Sequence, residues 1–446
     1  MAKFSPYISI ASLLLLSACG GGGGGSNSEP QPIGPFDFSL SSVLKNDCGV
    51  ESPYTAVELV LQDQNWQTVS THKPNAEGII ELTTNDPKIN YTLIATIKKQ
   101  GEDEGIEAVS FNGVDSASSA KFYATNSAQL NNASCECKTN DLVFIHNQLD
   151  QLNAAYSSAT FASFERIDSN QTKFIGVKTC RNIEEEWAEH SFSVEGPSGN
   201  YPLVGLSGFG TGHEDLYDLY QAFNYNDLSD KNPELTFSQF FNGLRHFETE
   251  VAERAGTVLV FDNHKYTDTT MYNAFGTYTF DETSSGPLTQ TTLNSEHETY
   301  NSDYRVALQI SPSTNKPNID LEYLSEIQDN GEYNFNVVNN YNMAIIRFDY
   351  LAKDPDTQLD MPATWTVYGP IEGSLPTIYG LPGYEDIISS DTSIKGTRVR
   401  LVQSAATRDY NKYIQYYAQA MESAADKSAT EFAQERRFYN INVELK

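Results

Sequence analysis

Between Thr55 and Lys98 the chain contains TAVELVLQD, NWQTVST, EGIIELTT and INYTLIATIK. In these runs apolar and β-branched residues alternate with polar ones, and Asn, Gly, Asp and Pro break the pattern between them. A period of two puts successive side chains on opposite faces of an extended chain, a pattern that a 3.6-residue helix does not satisfy. With KFYATNSAQL further on, the pattern predicts a β-sandwich over residues 36–138.

The run from Leu59 to Lys98 resembles the prealbumin-like sandwich of carboxypeptidase-regulatory-like domains, which implies a structural or binding module. Immunoglobulin-like and fibronectin-like sandwiches fit the same pattern. A second organising feature is a repeat. FSVEGPSGNYPLVGLSGFG begins at Phe192 and WTVYGPIEGSLPTIYGLPGY at Trp365. Val194 matches Val367, Gly196-Pro197 matches Gly369-Pro370, Gly205-Leu206 matches Gly380-Leu381, and Phe209 matches Tyr384. NDLVFIHNQLDQL and IDLEYLSEIQDN precede the two copies, and AGTVLVFD and KGTRVRLVQ follow them. The units close on DYRVALQI and FYNINVEL. This predicts two related β domains, 139–311 and 312–446, behind the first sandwich. The expected class is therefore mainly β, with tandem sandwich-like domains and a few inserted α-helices.

The repeat decides what the Gly-Pro stretch can be. A nucleophile elbow needs G-x-S-x-G, but GLSGF lacks the last glycine and Pro382 stands where Ser207 would recur. A Walker loop needs Gly-Lys-Ser/Thr, and neither copy has a lysine. Turn chemistry remains, with Gly supplying positive φ and Pro blocking further pairing. Within the first unit, TFSQFFNGLRHFETEVAERAG places Phe237, Phe240, Phe241, Leu244, Phe247 and Val251 at helical spacing, with Gly256 as a C-cap. A helix is expected there. RDYNKYIQYYAQAMESAA from Arg408 reads as helix by spacing and as strand by its place in the repeat.

No local motif supplies catalysis, so no catalytic, cofactor or metal residue is assigned. His213-Glu214 and His297-Glu298 begin like H-E-x-x-H, but Tyr217 and Asn301 occupy the fourth position beyond each histidine. His246 falls on the expected helix without a ligand partner. The acidic runs around Asp227 and Asp356 lack EF-hand spacing and read as solvated turns. A glycosidase would need two carboxylates at a defined separation, and 59 acidic residues single out no pair. A net charge of −30 sets the chain against phosphate backbones and excludes nucleic acid as a partner. The 26 tyrosines and 23 phenylalanines serve either as sheet residues or as stacking platforms.

The N-terminus reads MAKFSPYISIASLLLLSACGGGGGGSNSEP. A basic residue, a short apolar run and small residues before Cys19 make a secretory signal, with an apolar segment too short for a permanent span. LSAC resembles the lipobox of bacterial lipoproteins. That resemblance implies a signal peptide over 1–18, lipidation of Cys19 and a membrane partner through the lipid. Residues 19–35 then form a glycine- and proline-rich tether. Gly20 stands where an Asp would favour inner-membrane retention, so the outer membrane is expected, facing the cell surface or the periplasm.

Cys48, Cys135, Cys137 and Cys180 form an even set in an oxidising setting and predict two disulfides. Neighbours Cys135 and Cys137 do not pair with each other, so Cys48 and Cys180 take one each, in an order the sequence leaves open. The functional expectation is a non-enzymatic envelope lipoprotein presenting binding surfaces to a protein or glycan. The alternatives are a periplasm-facing assembly accessory and a polysaccharide or peptide hydrolase without a recognisable motif.

Overall fold

The computed structural model describes residues 34–195 and 331–415 apart from short gaps, together with strand backbone alone in stretches of 203–310 and over Arg436–Leu445. The chain is mainly β, with 61% strand and 3% helix, in several sheets.

The first unit holds β1 (Phe36–Lys45), β2 (Glu51–Pro53), β3 (Val57–Gln62), β4 (Thr68–His72), β5 (Ile79–Thr84), β6 (Lys88–Ile97), β7 (Gly105–Asp115) and β8 (Ser119–Tyr123). One sheet runs β2-β1-β5, with β8 parallel to β1. The facing layer runs β4-β3-β6-β7. Between the layers Phe38 and Leu40 of β1, Leu82 of β5, Leu59 of β3 and Tyr91 and Leu93 of β6 form one buried cluster. This is the sandwich that the alternation predicts.

Residues 89–95 of β6 are all buried, a run that a half-exposed strand does not make. The reason lies at the other end of the chain. Strand Asp360–Pro370 pairs in parallel with β7, Ala363 opposite Ile106 through Tyr368 opposite Phe111. Met343–Lys353 and Ile394–Ser404 continue the same sheet. Val60, Ile94, Ile106 and Ala108 therefore face a second core, shared with Phe348, Trp365, Leu381 and Leu401. The sheet has 12 strands and reaches through Arg436–Leu445 to Thr289–Asn301, Met271–Ser285 and Glu234–Phe241, so it takes strands from all three expected units. At the parallel seam a Cβ on Gly105 would run into the Pro362 carbonyl and side chain, and glycine permits the approach.

A buried chain of hydrogen bonds pins that seam. Trp365 Nε1 donates to Ser110 Oγ at 2.8 Å, Ser110 Oγ lies 2.7 Å from Thr92 Oγ1, and Thr92 Oγ1 donates to Gln62 Oε1 at 2.7 Å. It crosses four adjacent strands, and Trp66 Nε1 adds a bond to Ser374 Oγ at 3.0 Å. Satisfied buried polar groups of this kind specify register, because a slip leaves them unpaired.

The second unit begins with β9 (Cys135–Ile145), β10 (Ala154–Ser157), β11 (Ser163–Arg166), β12 (Gln171–Asn182) and β13 (Glu189–Glu195). Phe144, Phe174, Phe192 and Val194 fill the core between its sheets β11-β12-β9 and β10-β13.

The helix expected over 236–256 does not form. Glu234–Phe241 and Leu244–Val251 are antiparallel strands, with Phe241 opposite Leu244. Two residues separate them in the chain, Asn242-Gly243, the dipeptide that most favours a two-residue hairpin. Aromatic and β-branched residues favour strands, and spacing alone does not tell a short helix from a hairpin. Downstream of Arg408 a helix is described over 410–415, capped by Asp409 Oδ1, which accepts from Asn411 N at 2.9 Å and Lys412 N at 3.2 Å. The rest of that segment lies outside the described residues.

In the two copies of the Gly-Pro stretch, Val194 and Val367 are both buried on the strand that leads into it. Beyond it they differ. Leu203–Gly208 returns as a strand against β13, while the second copy makes the short strand Glu372–Ser374 and then turns at Gly380 and Gly383, with φ of 73° and 79°.

Candidate ligand-binding cavity

A cavity of about 250 Å³ lies between β1 and β8 on one side and β6 and β7 on the other, with Tyr368, Asn411, Ile414 and Gln415 completing its lining. Its construction follows from register. Tyr91 on β6 is directly opposite Phe111 on β7, and Phe111 is opposite Tyr368 on Asp360–Pro370. The three rings therefore stack across three strands, with centroids 4.9 and 5.2 Å apart and planes inclined by 26° and 11°. Phe38 of β1 closes on Tyr91 at 5.2 Å. Leu40, Ala120 and Phe122 line the opposite wall.

Helix 410–415 supplies one end. Asn411 Oδ1 accepts from Asp115 N at 3.1 Å, and the Tyr410 hydroxyl donates to the Tyr368 carbonyl at 3.0 Å. Ile414 and the exposed Gln415 border the cavity, as does exposed Ser119.

Polar groups gather at the rim. The Lys121 ammonium lies 2.8 Å from Glu51 Oε2, and the Tyr123 hydroxyl donates to Glu51 Oε1 at 3.1 Å. Lys45 and Lys121 both lie 5.3 Å from the centre of the Tyr123 ring. Burial alone would raise the Glu51 pKa, but the hydrogen bond and charge of Lys121, with Tyr123 and Lys45, hold it below the usual carboxylate range. Glu107 and Asp115 add two carboxylates.

Tyr91 is 2% exposed, and burial pushes its phenol pKa well up. Its side chain lines the cavity. An apolar, ring-walled space with a polar rim has the make-up of a small-molecule site.

The cysteines come together elsewhere, at the junction of the first and second units. Cys48 bonds to Cys135 and Cys137 to Cys180, with Cα separations of 5.7 and 4.1 Å, one of the two orders that the sequence leaves open. Cys137 and Cys180 are direct partners across β9 and β12, and two-residue periodicity puts Cys135 on the same side as Cys137. The four sulfurs lie within 4.8 Å of one another. Beside them Lys138 and Arg181 each lie 4.6 Å from the Trp187 ring, and Arg181 pairs with Glu136 at 2.9 Å.

The other sequence candidates are scattered. Cys19 and His213-Glu214 lie outside the described residues. His246 falls on strand Leu244–Val251, and His297-Glu298 on Thr289–Asn301. The acidic run around Asp356 is a turn: Asp354 Oδ1 accepts from Asp356 N at 3.0 Å and Thr357 N at 2.7 Å. The sequence carries no mark of Tyr91, Phe111 and Tyr368 as a set, because the aromatic count holds no information on facing.

No family model and no curated protein matches the chain. Among solved structures, the Bacillus anthracis TIE protein is similar at 11% identity and a TM-score of 0.15, over 56% of this chain and 46% of that one. The native conformation of E. coli alpha-2-macroglobulin gives 8% identity and a TM-score of 0.10, over 80% of this chain and 27% of that one. The chain thus spans less than half the length of either, and likeness at this level carries no functional argument.

Proposed function

We propose that this chain is a non-enzymatic lipoprotein of the bacterial outer membrane, anchored through Cys19, that binds ligands. Its outer β surfaces meet a protein or glycan, and its first sandwich holds a ligand in its interior. The observation that carries the binding reading is the cavity between β1/β8 and β6/β7. Its inner walls are rings and aliphatic side chains and its rim carries charged and polar ones, the make-up of a small-molecule site. The signal segment, the LSAC lipobox and the glycine tether support the anchor.

The test is a tag placed after Lys446 and labelled with an impermeant reagent on intact and on permeabilised cells. A chain that faces outward to meet its protein or glycan at the cell surface is labelled on intact cells, and that is the expected result. Labelling only after permeabilisation would overturn the outward-facing reading in favour of a periplasm-facing assembly accessory.

A further inference from the structure

The cavity runs along a strand edge, and that edge narrows the ligand, an inference that rests on the binding reading given above. Ser118, Ser119, Ala120, Lys121, Phe122 and Tyr123 all line it. Successive residues of a strand point to opposite faces, so a space that meets every one of them follows the backbone of β8 and not one of its faces. Among the described residues β8 pairs with β1 alone. Ser39 N donates to Ser118 O at 3.3 Å and Ala124 N to Val43 O at 2.9 Å, so the even-numbered residues turn their backbone groups to β1. Alternate residues turn theirs the other way, which sends the N–H and C=O of Ser119 and Tyr123 to the outer side. Beyond Tyr123 the bridge between Lys98 and Asn126 closes the stretch. A sheet edge is a template for another extended chain, whose main chain supplies the hydrogen bonds and whose alternate side chains fill pockets.

A strand laid against β8 continues its sheet, so its side chains alternate in step. Inward positions share the side of Ala120 and Phe122, which pack on the core cluster, and meet Tyr91, Leu93, Val109 and Phe111 across the cavity. A dry cavity of roughly 150 Å³ takes a benzene, so about 250 Å³ suits two isobutyl groups. Outward positions share the side of Lys121 and Tyr123. There Lys45 and Lys121, both 5.3 Å from the centre of the Tyr123 ring, stand with one carboxylate, Glu51, 2.8 Å from the Lys121 ammonium, and two cations against one carboxylate leave that face one positive charge in excess. Asp115, and Glu107 with interactions of its own, lie across the cavity on β7. We propose that the cavity seats an extended peptide segment, added as a strand to the edge of β8, with aliphatic side chains inward and an acidic residue on the outer face beside Lys45 and Lys121.

The experiment is calorimetric titration of the full-length chain in lipid nanodiscs, with empty discs as the blank. The probe is acetylated and amidated Thr-Leu-Glu-Leu-Thr, which matches the five residues of β8 and reads the same in either strand direction. Saturable one-to-one binding is expected. The same peptide N-methylated at every residue keeps its side chains but loses its backbone donors, and should bind at least about tenfold more weakly. Thr-Leu-Lys-Leu-Thr should bind about threefold more weakly. Ala120→Phe, which fills the space from β8, should abolish binding with an unchanged thermal midpoint.

No saturable binding of the peptide, or equal binding by folded Ala120→Phe, would overturn the site, while labelling of intact cells judges the outward-facing reading independently. Equal affinity of the N-methylated peptide would overturn strand addition and leave a cavity that binds side chains. Equal or tighter binding of the lysine peptide would overturn the acidic class.

Discussion

At the scale of single residues, the sharpest dependence lies in the hydrogen-bond chain from Trp365 to Gln62. Ser110 is its middle member, fully buried between Trp365 Nε1 and Thr92 Oγ1. Ser110→Ala strands the indole N–H and removes a partner of the Thr92 hydroxyl, and should cost about 1–3 kcal/mol, read as a lower urea midpoint with an unchanged slope. Ser42→Ala makes the opposite case. It deletes a buried hydroxyl that has no partner among the described residues, so stability should hold or rise slightly, and a loss above about 1 kcal/mol would contradict the assignment. Glu51 gives a pH signature. Its folded pKa is depressed, so its contribution is present above the unfolded carboxylate pKa of roughly 4.3 and is lost as pH falls through the folded value. The pair is partly exposed, at 22% and 32%, and solvent screening limits it to about 1 kcal/mol or less. Glu51→Gln should therefore destabilise at pH 7 and match wild type at low pH, where both side chains are neutral.

At the scale of elements, two joints hold the fold. The first is the parallel pairing of β7 with Asp360–Pro370. Gly105→Ala puts a methyl group against Pro362 and should cost about 1–3 kcal/mol through forced backbone displacement, seen as an earlier thermal transition. The second is the cross-strand bond Cys137–Cys180, which closes a separation of 43 residues. Replacing both cysteines by serine should cost about 3–4 kcal/mol, read by unfolding under oxidising conditions. Legibility differs from element to element for physical reasons. β3 and β6 were readable because period-two alternation is strong and local. The hairpin of Glu234–Phe241 and Leu244–Val251 is masked in the sequence because Phe237, Phe240, Phe241 and Leu244 fit the i, i+3, i+4, i+7 template equally well, and Asn242-Gly243 is the better signal. The cavity was not legible at all. Its wall joins Tyr91 and Phe111 to Tyr368 through a parallel pairing between distant segments, for which the chain carries no local mark.

At the scale of the molecule, the two ends of the chain complete one another. Val60, Ile94, Ile106 and Ala108 are at most 2% exposed because the segment from Tyr333 to Leu401 covers their face. A fragment ending at residue 138 would expose that face and should aggregate or fail to give a cooperative transition. A soluble, cooperatively folded monomer would contradict the shared core. Two other expectations at this scale, a lipid anchor and an envelope location, follow from the first thirty residues and underlie the function proposed here. The most direct measurement is labelling of cells with radioactive palmitate, followed by immunoprecipitation of the wild-type chain and of Cys19→Ser. The account predicts a labelled, membrane-bound wild type and an unlabelled variant released from the membrane fraction. An unlabelled wild type in the soluble fraction would contradict it.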